Sequence, residues 1–245
     1  MARGSGAQVA RTLWGKQVHK QPARTARRVY WRSMNVFLLR HGQSEYNIGL
    51  TDHLDSPLTP LGQQQAERAA QRLGGEQITQ VFVSPLRRTL QTIAPFCRRT
   101  GLPAQAVPAL CEFFSSPPYR QFPGMNTQAI CREFPFAACD AHFPPQEPWW
   151  PQQTETDAVL YARSEAIRDL LLRDFSQTDT HLLIVSHADT VGRLREAFQR
   201  LPPRPDDPPW SDNCGITRLS CSPDVTQPAQ VVYENDTAYL GDLRS

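Results

Sequence analysis

Short apolar runs alternate with amphipathic stretches along this chain of 245 residues. Residues 36–39, 81–83 and 181–186 are nearly uninterrupted apolar runs, which is typical of parallel strands buried on both faces. Two further strands are predicted at residues 214–220 and 230–233. The pattern therefore predicts a sheet whose central strands are covered on both sides.

Proline marks the start of two predicted helices. Thr59, followed by proline, predicts a helix N-terminus, and Gly74 with Gly75 marks the end of that helix. Ser84, also followed by proline, predicts a second helix start. Pro95 should kink or shorten this second helix, because proline lacks the N–H that the helix needs.

Two more helices are predicted in the second half of the chain. One follows Thr154, and the other is marked by Val191, Leu194 and Phe198 at helical spacing. Alternating strands and helices predict an α/β fold with three layers, α/β/α, and a mostly parallel central sheet. The helix after Thr154 has one apolar stripe at Leu160, Ile167 and Leu171 and a neighbouring one at Val159, Ala166 and Leu170.

Proline is concentrated in two regions. Eight of the 22 prolines lie within residues 117–151, and five lie within residues 202–209. The first region also contains Trp149 and Trp150, so it is too apolar for a plain linker. We expect residues 113–151 to form an ordered insertion over one end of the sheet, a candidate lid. The second region is expected to be a rigid surface connection.

The formal net charge of +2 conceals a division of the chain. Residues 1–33 contain eight bases and no acid, whereas the rest contains 18 bases and 24 acids. We expect this basic arm to lie outside the fold, with the domain at residues 34–245. A transit peptide, a disordered tail and an untranslated extension before Met34 all fit the arm. The expected location is cytoplasmic, or an organelle if the arm is a transit peptide.

Several kinds of partner are disfavoured. No apolar run approaches the ~18 residues of a membrane span, and no aromatic-interleaved nucleic-acid motif follows the basic arm. The six cysteines show neither a C-x-x-C pair nor zinc spacing, which predicts free thiols. We therefore expect no membrane, nucleic-acid or metal partner, and the sequence leaves the oligomeric state open.

Cationic side chains follow three of the predicted strands. Arg40 and His41 come directly after the first strand, Arg88 lies shortly after the second, and His187 follows the third. Ligands of open α/β sheets bind beyond the carboxyl ends of the strands. If these strands are parallel neighbours, the four side chains converge on one pocket. Phosphate is the anion that such a pocket fits best.

Short motifs accompany these cations. Residues 40–47 read R-H-G-Q-S-E-Y-N, which resembles the R-H-G-x-S-x-x-N motif of the histidine phosphatase superfamily. That family includes the cofactor-dependent phosphoglycerate mutases, and the resemblance implies a phosphoglycerate mutase-like fold. Other segments resemble family elements in the same order: residues 57–62 (PLTPLG), 84–92 (SPLRRTLQT), 185–187 (VSH) and 235–237 (NDT).

The resemblance implies a role for each cation. His41 would attack phosphorus and carry a phosphohistidine. Its pKa would be lowered by Arg40, Arg88 and a protonated His187, so that the imidazole is neutral near pH 7. The other ring nitrogen of His41 would donate to a backbone carbonyl. Arg40, Arg88 and His187 would bind the phosphoryl oxygens.

Neutral donors and an acid complete the implied site. Ser44 and Asn47 would lie at the rim of the phosphate pocket. Glu112, in the sequence Leu-Cys-Glu, resembles the family's acid; it would protonate the leaving group and then deprotonate water. Glu133 is the alternative acid. Arginine and histidine would do the work that Mg²⁺ does elsewhere, so neither a metal nor a cofactor is implied.

Three functions remain open at this point. Hydrolysis of a phosphomonoester is favoured, because the FTGW and ERHYG stretches of phosphoglycerate mutases have no counterpart at residues 49–54 and 112–116. Mutase-type phosphoryl transfer is the first alternative, and a non-catalytic phospho-ligand-binding module is the second. Because residues 113–151 contain few bases, we expect a small monophosphate with an apolar or neutral body.

Overall fold

The computed structural model describes residues 33–115, 124–139, 154–204 and 210–245. The basic arm up to residue 32, most of the candidate lid and the proline-rich residues 205–209 lie outside this description. The strands of the described part are β1 (Met34–Arg40), β2 (Gln80–Val83), β3 (Ala104–Ala106), β4 (Ala137–Cys139), β5 (His181–Ser186), β6 (Ile216–Cys221) and β7 (Gln230–Asp236).

These seven strands of the described residues form one sheet in the order β4-β3-β2-β5-β1-β6-β7. The first five strands in chain order run parallel, with β1 and β2 on either side of β5. β6 is antiparallel to β1, and β7 is antiparallel to β6. The predicted mostly parallel sheet is confirmed, and its three central strands are the three apolar runs.

Helices cover both faces of the sheet, as the three-layer prediction requires. The helices are α1 (Pro60–Leu73), α2 (Arg87–Thr100), α3 (Thr127–Glu133), α4 (Asp157–Phe175) and α5 (Ala188–Gln199). Side chains of α1, α2 and α3 belong to one buried apolar cluster, and those of α4 and α5 belong to another. Two short 3₁₀ segments, Pro108–Leu110 and Ala238–Leu243, complete the described structure.

The central strand β1 shows why its sequence has no polar alternation. Phe37 and Leu39 lie in the cluster with α1 and α2, whereas Val36 and Leu38 lie in the cluster with α4 and α5. All four side chains are buried. Burying each such side chain contributes about 1.5–3 kcal/mol, so the strand is stabilised from both faces.

The two proline-marked helices begin differently. The Thr59 hydroxyl accepts from the Gly62 N–H at 3.0 Å, which confirms the predicted start of α1. The prediction that Ser84 caps α2 is wrong, since α2 begins at Arg87. A carboxylate from a distant loop takes over the cap, because the Arg87 N–H donates to Asp55 Oδ1 at 2.6 Å. Pro95 does not shorten α2, which continues to Thr100.

Helix α4 follows Thr154 as predicted, with Thr156 as its N-cap, but it departs from its predicted burial pattern. The first predicted stripe is buried, but the second is not, and its member Val159 is exposed. Arg163 and Arg168 are buried on α4 instead. Polar contacts hold this side of the helix in place of an apolar stripe. Both guanidiniums donate to backbone carbonyls and form ion pairs with acidic side chains.

The insertion contributes to the sheet edge. Within its described part, α3 precedes β4, and β4 pairs with β3 in parallel at the edge. The sequence pattern did not predict β3, α3 or β4. All six cysteines are described, and none forms a disulfide. Among the described residues, no helix combines the length and apolar character that crossing a membrane requires.

Candidate active site

Parallel pairing brings the ends of three strands to one edge of the sheet. Arg40 of β1 lies opposite Ser186 of β5, and Val83 of β2 lies opposite Val185 of β5. The pairing continues one residue further, since the His41 N–H donates to the Ser186 carbonyl at 3.0 Å. The chain then leaves all three strands at the same edge, which brings the predicted cations together.

His41 is buried, and its ring is held in one orientation. Nδ1 lies 2.7 Å from the Gly42 carbonyl, so it carries the proton, as the sequence led us to expect. Nε2 is therefore the bare nitrogen, and it accepts from Arg88 Nε at 3.1 Å. Burial, Arg88 and Arg40 together hold the pKa of His41 well below its usual value. The imidazole is neutral at neutral pH, with its lone pair facing a cation.

The backbone behind His41 is fixed by a close approach of two glycines. A Cβ on Gly42 would lie 2.6 Å from the Gly62 carbonyl oxygen, and a Cβ on Gly62 would lie 2.0 Å from the Gln43 carbonyl oxygen. The Gly42 N–H also donates to Thr92 Oγ1 at 3.0 Å. Only glycine lets the start of α1 pack this closely against the segment that carries His41.

Both arginines are buried and anchored through one terminal nitrogen. Arg40 Nη1 donates to the Ser211 carbonyl at 2.6 Å, and Arg88 Nη1 donates to the Leu54 carbonyl at 2.5 Å. Burial lowers the pKa of both groups, but an arginine stays cationic in proteins. Arg40 Nε is buried and has no hydrogen-bond partner among the described residues. Donors are thus left over for an anion.

His187 faces His41 across the site. The two ring centroids are 5.1 Å apart, with the rings inclined at 62°. His187 Nε2 lies 2.8 Å from Ser84 Oγ, and that hydroxyl oxygen already accepts from the Leu86 N–H at 3.4 Å. A neutral His187 carries one ring proton, and we assign it to Nδ1, with the Ser84 hydroxyl donating to Nε2. The sequence predicted that Ser84 caps a helix, but its hydroxyl contacts His187 instead.

The expected positive charge on His187 is wrong. Burial, Arg88 and His41 hold the pKa of His187 well below its usual value, because a third cation would be costly beside two guanidiniums. Its Nδ1 is buried and has no hydrogen-bond partner among the described residues. A neutral His187 still donates one hydrogen bond from Nδ1, and the sequence motifs predict a phosphoryl group as the partner.

Glu112 lies on the same side of the site as His187 Nδ1. Its Oε2 is 3.9 Å from that nitrogen, and its Oε1 accepts from the Phe113 N–H at 2.9 Å. Burial, and secondarily Asp189, raise the pKa of Glu112 to about 7. The side chain is 22 % exposed, so protons can still reach it. The alternative acid Glu133 is exposed and forms an ion pair with Arg87.

Ser44 and Asn47 form a local network beside His41. The Ser44 N–H and hydroxyl donate to Asn47 Oδ1 at 3.0 and 3.1 Å. Asn213 Nδ2 donates to the same oxygen at 3.2 Å and to the His41 carbonyl at 3.1 Å. The Ser44 hydroxyl is therefore engaged within the turn, while Asn47 is exposed at the rim.

Sequence reasoning missed four residues at this site. Trp210 lies over Arg40, with the guanidinium carbon 5.0 Å from the ring centroid. Ser84 is hydrogen-bonded to His187, Asn213 is hydrogen-bonded to Asn47, and Asp189 raises the pKa of Glu112. Ser84 stood in a motif but was interpreted as a helix cap. Trp210 and Asn213 follow a proline-rich stretch and stand in no motif, so only the fold shows their positions.

Comparison with known proteins agrees with the motifs. A family model described as the histidine phosphatase superfamily, branch 1, matches residues 36–234. A protein from Yersinia enterocolitica named "Probable phosphoglycerate mutase GpmB" is 28 % identical over 220 residues, which cover 84 % of this chain and 95 % of that protein.

Solved structures agree in fold. A mycobacterial glucosyl-3-phosphoglycerate phosphatase aligns with a TM-score of 0.60 at 24 % identity, covering 84 % of this chain and 100 % of the other. A phosphoserine phosphatase from Entamoeba histolytica, solved with 3-phosphoglyceric acid, aligns with a TM-score of 0.55 at 20 % identity, covering 84 % and 99 %. At these identities the likeness concerns the fold alone.

Proposed function

The chain belongs to the histidine phosphatase superfamily, branch 1, and from this premise we propose that it is a phosphomonoester hydrolase acting through a phosphohistidine on His41. The observation that carries the proposal is the state of His41. Its Nδ1 is bound to a backbone carbonyl, and its Nε2 is unprotonated and faces Arg88. A neutral, oriented imidazole is what in-line attack on phosphorus requires.

In the first step, His41 Nε2 attacks phosphorus while the ester oxygen leaves. Arg40 and Arg88 bind the phosphoryl oxygens, and His187 donates to one of them through Nδ1. These donors are already in place before the substrate arrives, so they stabilise the charge of the transition state without rearrangement. Ser44 and Asn47 support the turn beside the pocket, and Asn47 completes the rim.

Glu112 supplies the proton that the leaving alkoxide needs. With its pKa at about 7, part of the population is protonated at neutral pH, which suits a general acid. After the alcohol departs, the carboxylate accepts a proton from water as that water attacks the phosphohistidine. The products are the alcohol and inorganic phosphate, and Glu112 is protonated again.

A phosphoglycerate mutase activity is the second candidate, favoured by the name of the Yersinia relative. A mutase must keep the phosphohistidine away from water and return the phosphoryl group to a glycerate. The FTGW and ERHYG stretches of phosphoglycerate mutases have no counterpart at residues 49–54 and 112–116 of this chain. Hydrolysis is therefore the function that we favour.

One experiment separates these functions. The full chain is assayed for phosphate release from a panel of phosphomonoesters and for conversion of 3- to 2-phosphoglycerate with and without a bisphosphoglycerate primer. We expect phosphate release that is lost in His41→Ala, and no interconversion. Primer-dependent interconversion would establish the mutase. Thermal stabilisation by phosphate without any turnover would instead indicate a binding module.

A further inference from the structure

Two segments that hydrogen bonds tie to His41 carry exposed apolar side chains. The described residues contain eight large apolar side chains that are exposed, and half of them lie on two segments that flank the site. Single exposed apolar residues are ordinary, but a group at one place marks a ligand or partner surface. The four are Tyr46 (47 % exposed), Ile48 (49 %), Leu50 (70 %) and Trp210 (66 %). We call them the apolar rim.

The turn that carries three members of the apolar rim is held in place by hydrogen bonds. The Leu50 N–H donates to the Glu45 carbonyl at 3.0 Å, and Gly49 takes a positive φ of 69° that favours glycine. Asn213 ties the turn to the catalytic segment, because it donates both to Asn47 and to the His41 carbonyl. The backbone that carries these exposed side chains is thus fixed relative to His41.

Trp210 is fixed against a phosphate-binding group. Its ring lies 5.0 Å from the Arg40 guanidinium carbon, and its Nε1 donates to Asp212 Oδ1 at 3.0 Å. Asp212 is in turn held by Asn235, which accepts from the Asp212 N–H at 2.9 Å and donates to Asp212 Oδ2 at 2.8 Å. The only polar atom of the indole is therefore occupied, so the ring offers a substrate an apolar surface.

Charges around the pocket disfavour a second anionic group on the substrate. Among the described residues, the carboxylates that act on Arg40 are those of Glu112, Asp212 and Asp189. A carboxylate or a second phosphate near these acids would be repelled, whereas an uncharged group would not.

We propose that the apolar rim is the subsite for the leaving alcohol, and that the substrate is the monophosphate ester of an uncharged, apolar alcohol. This inference rests on the proposed function: since Trp210 lies over Arg40, we expect the organic part of an ester whose phosphate Arg40 binds to lie within reach of the indole. The two arginines bind one dianion, and the apolar rim covers the organic part. The apolar surface removed from water then adds to affinity.

Alkyl phosphonates test the subsite without requiring turnover. Their carbon–phosphorus bond is not cleaved, so calorimetric titration of the full chain with methylphosphonate and hexylphosphonate compares the same anion with and without an apolar body. We expect hexylphosphonate to bind about tenfold more tightly or better, given the apolar area of five added methylenes. Equal affinities for the two phosphonates would overturn the proposal.

Variants locate the effect. In Trp210→Ala and Leu50→Ala, we expect the ratio of the two affinities to fall towards one. Trp210→Phe keeps an apolar ring over Arg40 and should keep most of the ratio. Val232→Ala is the matched control, since Val232 is also exposed but lies on strand β7. An unchanged ratio in both Trp210→Ala and Leu50→Ala would exclude the apolar rim as the subsite.

The same series separates this inference from the proposed function. If hexylphosphonate is preferred but hexyl phosphate is not hydrolysed, the subsite stands and the hydrolase proposal fails. If hexyl phosphate is hydrolysed no better than methyl phosphate and the phosphonates bind equally, the hydrolase stands and the subsite fails.

Discussion

At the scale of single residues, the site combines two neutral imidazoles with two buried guanidiniums. Both histidines have pKa values well below the usual range, because burial and the arginines penalise a further positive charge. The opposite holds for Glu112, whose pKa is raised to about 7. In the mechanism we propose, the environment thus divides the work between a nucleophile that is unprotonated at neutral pH and an acid that is still partly protonated.

Glu112 gives the first prediction. Esters with poor leaving groups need its proton, so kcat/KM for an alkyl phosphate should fall as the pH rises through about 7. Glu112→Gln should slow the alkyl phosphate by about 10²–10⁴ and remove this fall, while p-nitrophenyl phosphate is much less affected. Steady-state rates between pH 5.5 and 9 provide the measurement. An unchanged rate for the alkyl ester would show that the acid is another residue.

Ser84 gives the second prediction. In Ser84→Ala the ring proton of His187 is no longer directed to Nδ1, so kcat/KM should fall about tenfold, the effect of one buried hydrogen bond. Long-range ¹⁵N spectra of the histidine rings report the tautomer directly. Ser84→Thr keeps the hydroxyl and is the control that should retain both tautomer and rate. A His187 tautomer that is the same in the wild type and in Ser84→Ala would contradict the role of Ser84.

The motifs identified the four groups that the fold brings together, namely Arg40, His41, Arg88 and His187. They did not identify the contacts that set the state of each group. His187 and Ser84 are 103 positions apart in sequence, so nothing local to either residue indicates their hydrogen bond. The protonation of His187 was predicted wrongly for the same reason, because its burial between two arginines is a property of the folded chain.

At the scale of elements, buried side chains of helix α4 and strand β5 hold the loop that carries Glu112. Arg163 of α4 donates to the Ala109 and Cys111 carbonyls at 2.6 and 2.9 Å and pairs with Glu155 at 2.8 Å. Ser186 donates to the Leu110 carbonyl at 2.7 Å. Helix α4 therefore holds the segment that leads to Glu112.

Arg163 gives the third prediction. Arg163→Lys keeps the charge but loses the planar fork that spans two carbonyls, so Glu112 should shift. We expect kcat/KM for an alkyl phosphate to fall about tenfold, and for p-nitrophenyl phosphate to fall much less, since only the former depends on the acid. Arg168→Lys is the matched control, because Arg168 is equally buried on α4 but donates to the Ala197 carbonyl. Equal losses for both esters in Arg163→Lys would point to a general structural defect.

Elements were predictable where the sequence pattern was long or strongly apolar. The strands β1, β2 and β5 are buried on both faces, so their apolar runs were sufficient. Strands β3 and β4 have three residues each and are rich in alanine, which leaves no periodicity to detect. The start of α2 was misassigned because its cap, Asp55, comes from another segment.

At the scale of the whole molecule, a mildly acidic domain surrounds a cationic pocket. The family match begins at residue 36 and β1 begins at Met34, so the basic arm precedes both. We propose that residues 34–245 are the catalytic domain.

Removal of the arm gives the fourth prediction. A chain that starts at Met34 should keep kcat/KM within about twofold and its thermal midpoint within about 2 °C, because surface changes outside the core have small effects. Enzyme assay and calorimetry of both chains provide the comparison. A loss of tenfold or more in kcat/KM would show that the arm takes part in the fold or in the site.

The central claim, that His41 carries the phosphoryl group, is tested most directly by trapping the intermediate. A phosphomonoester that the protein hydrolyses is mixed with it for milliseconds, quenched in alkali, which preserves phosphohistidine, and analysed by mass spectrometry of peptides. We predict one phosphoryl group on His41, absent from His41→Ala and accumulating with an ester whose alcohol leaves easily. Rapid turnover with phosphate never appearing on His41, or appearing on another residue, would contradict the mechanism.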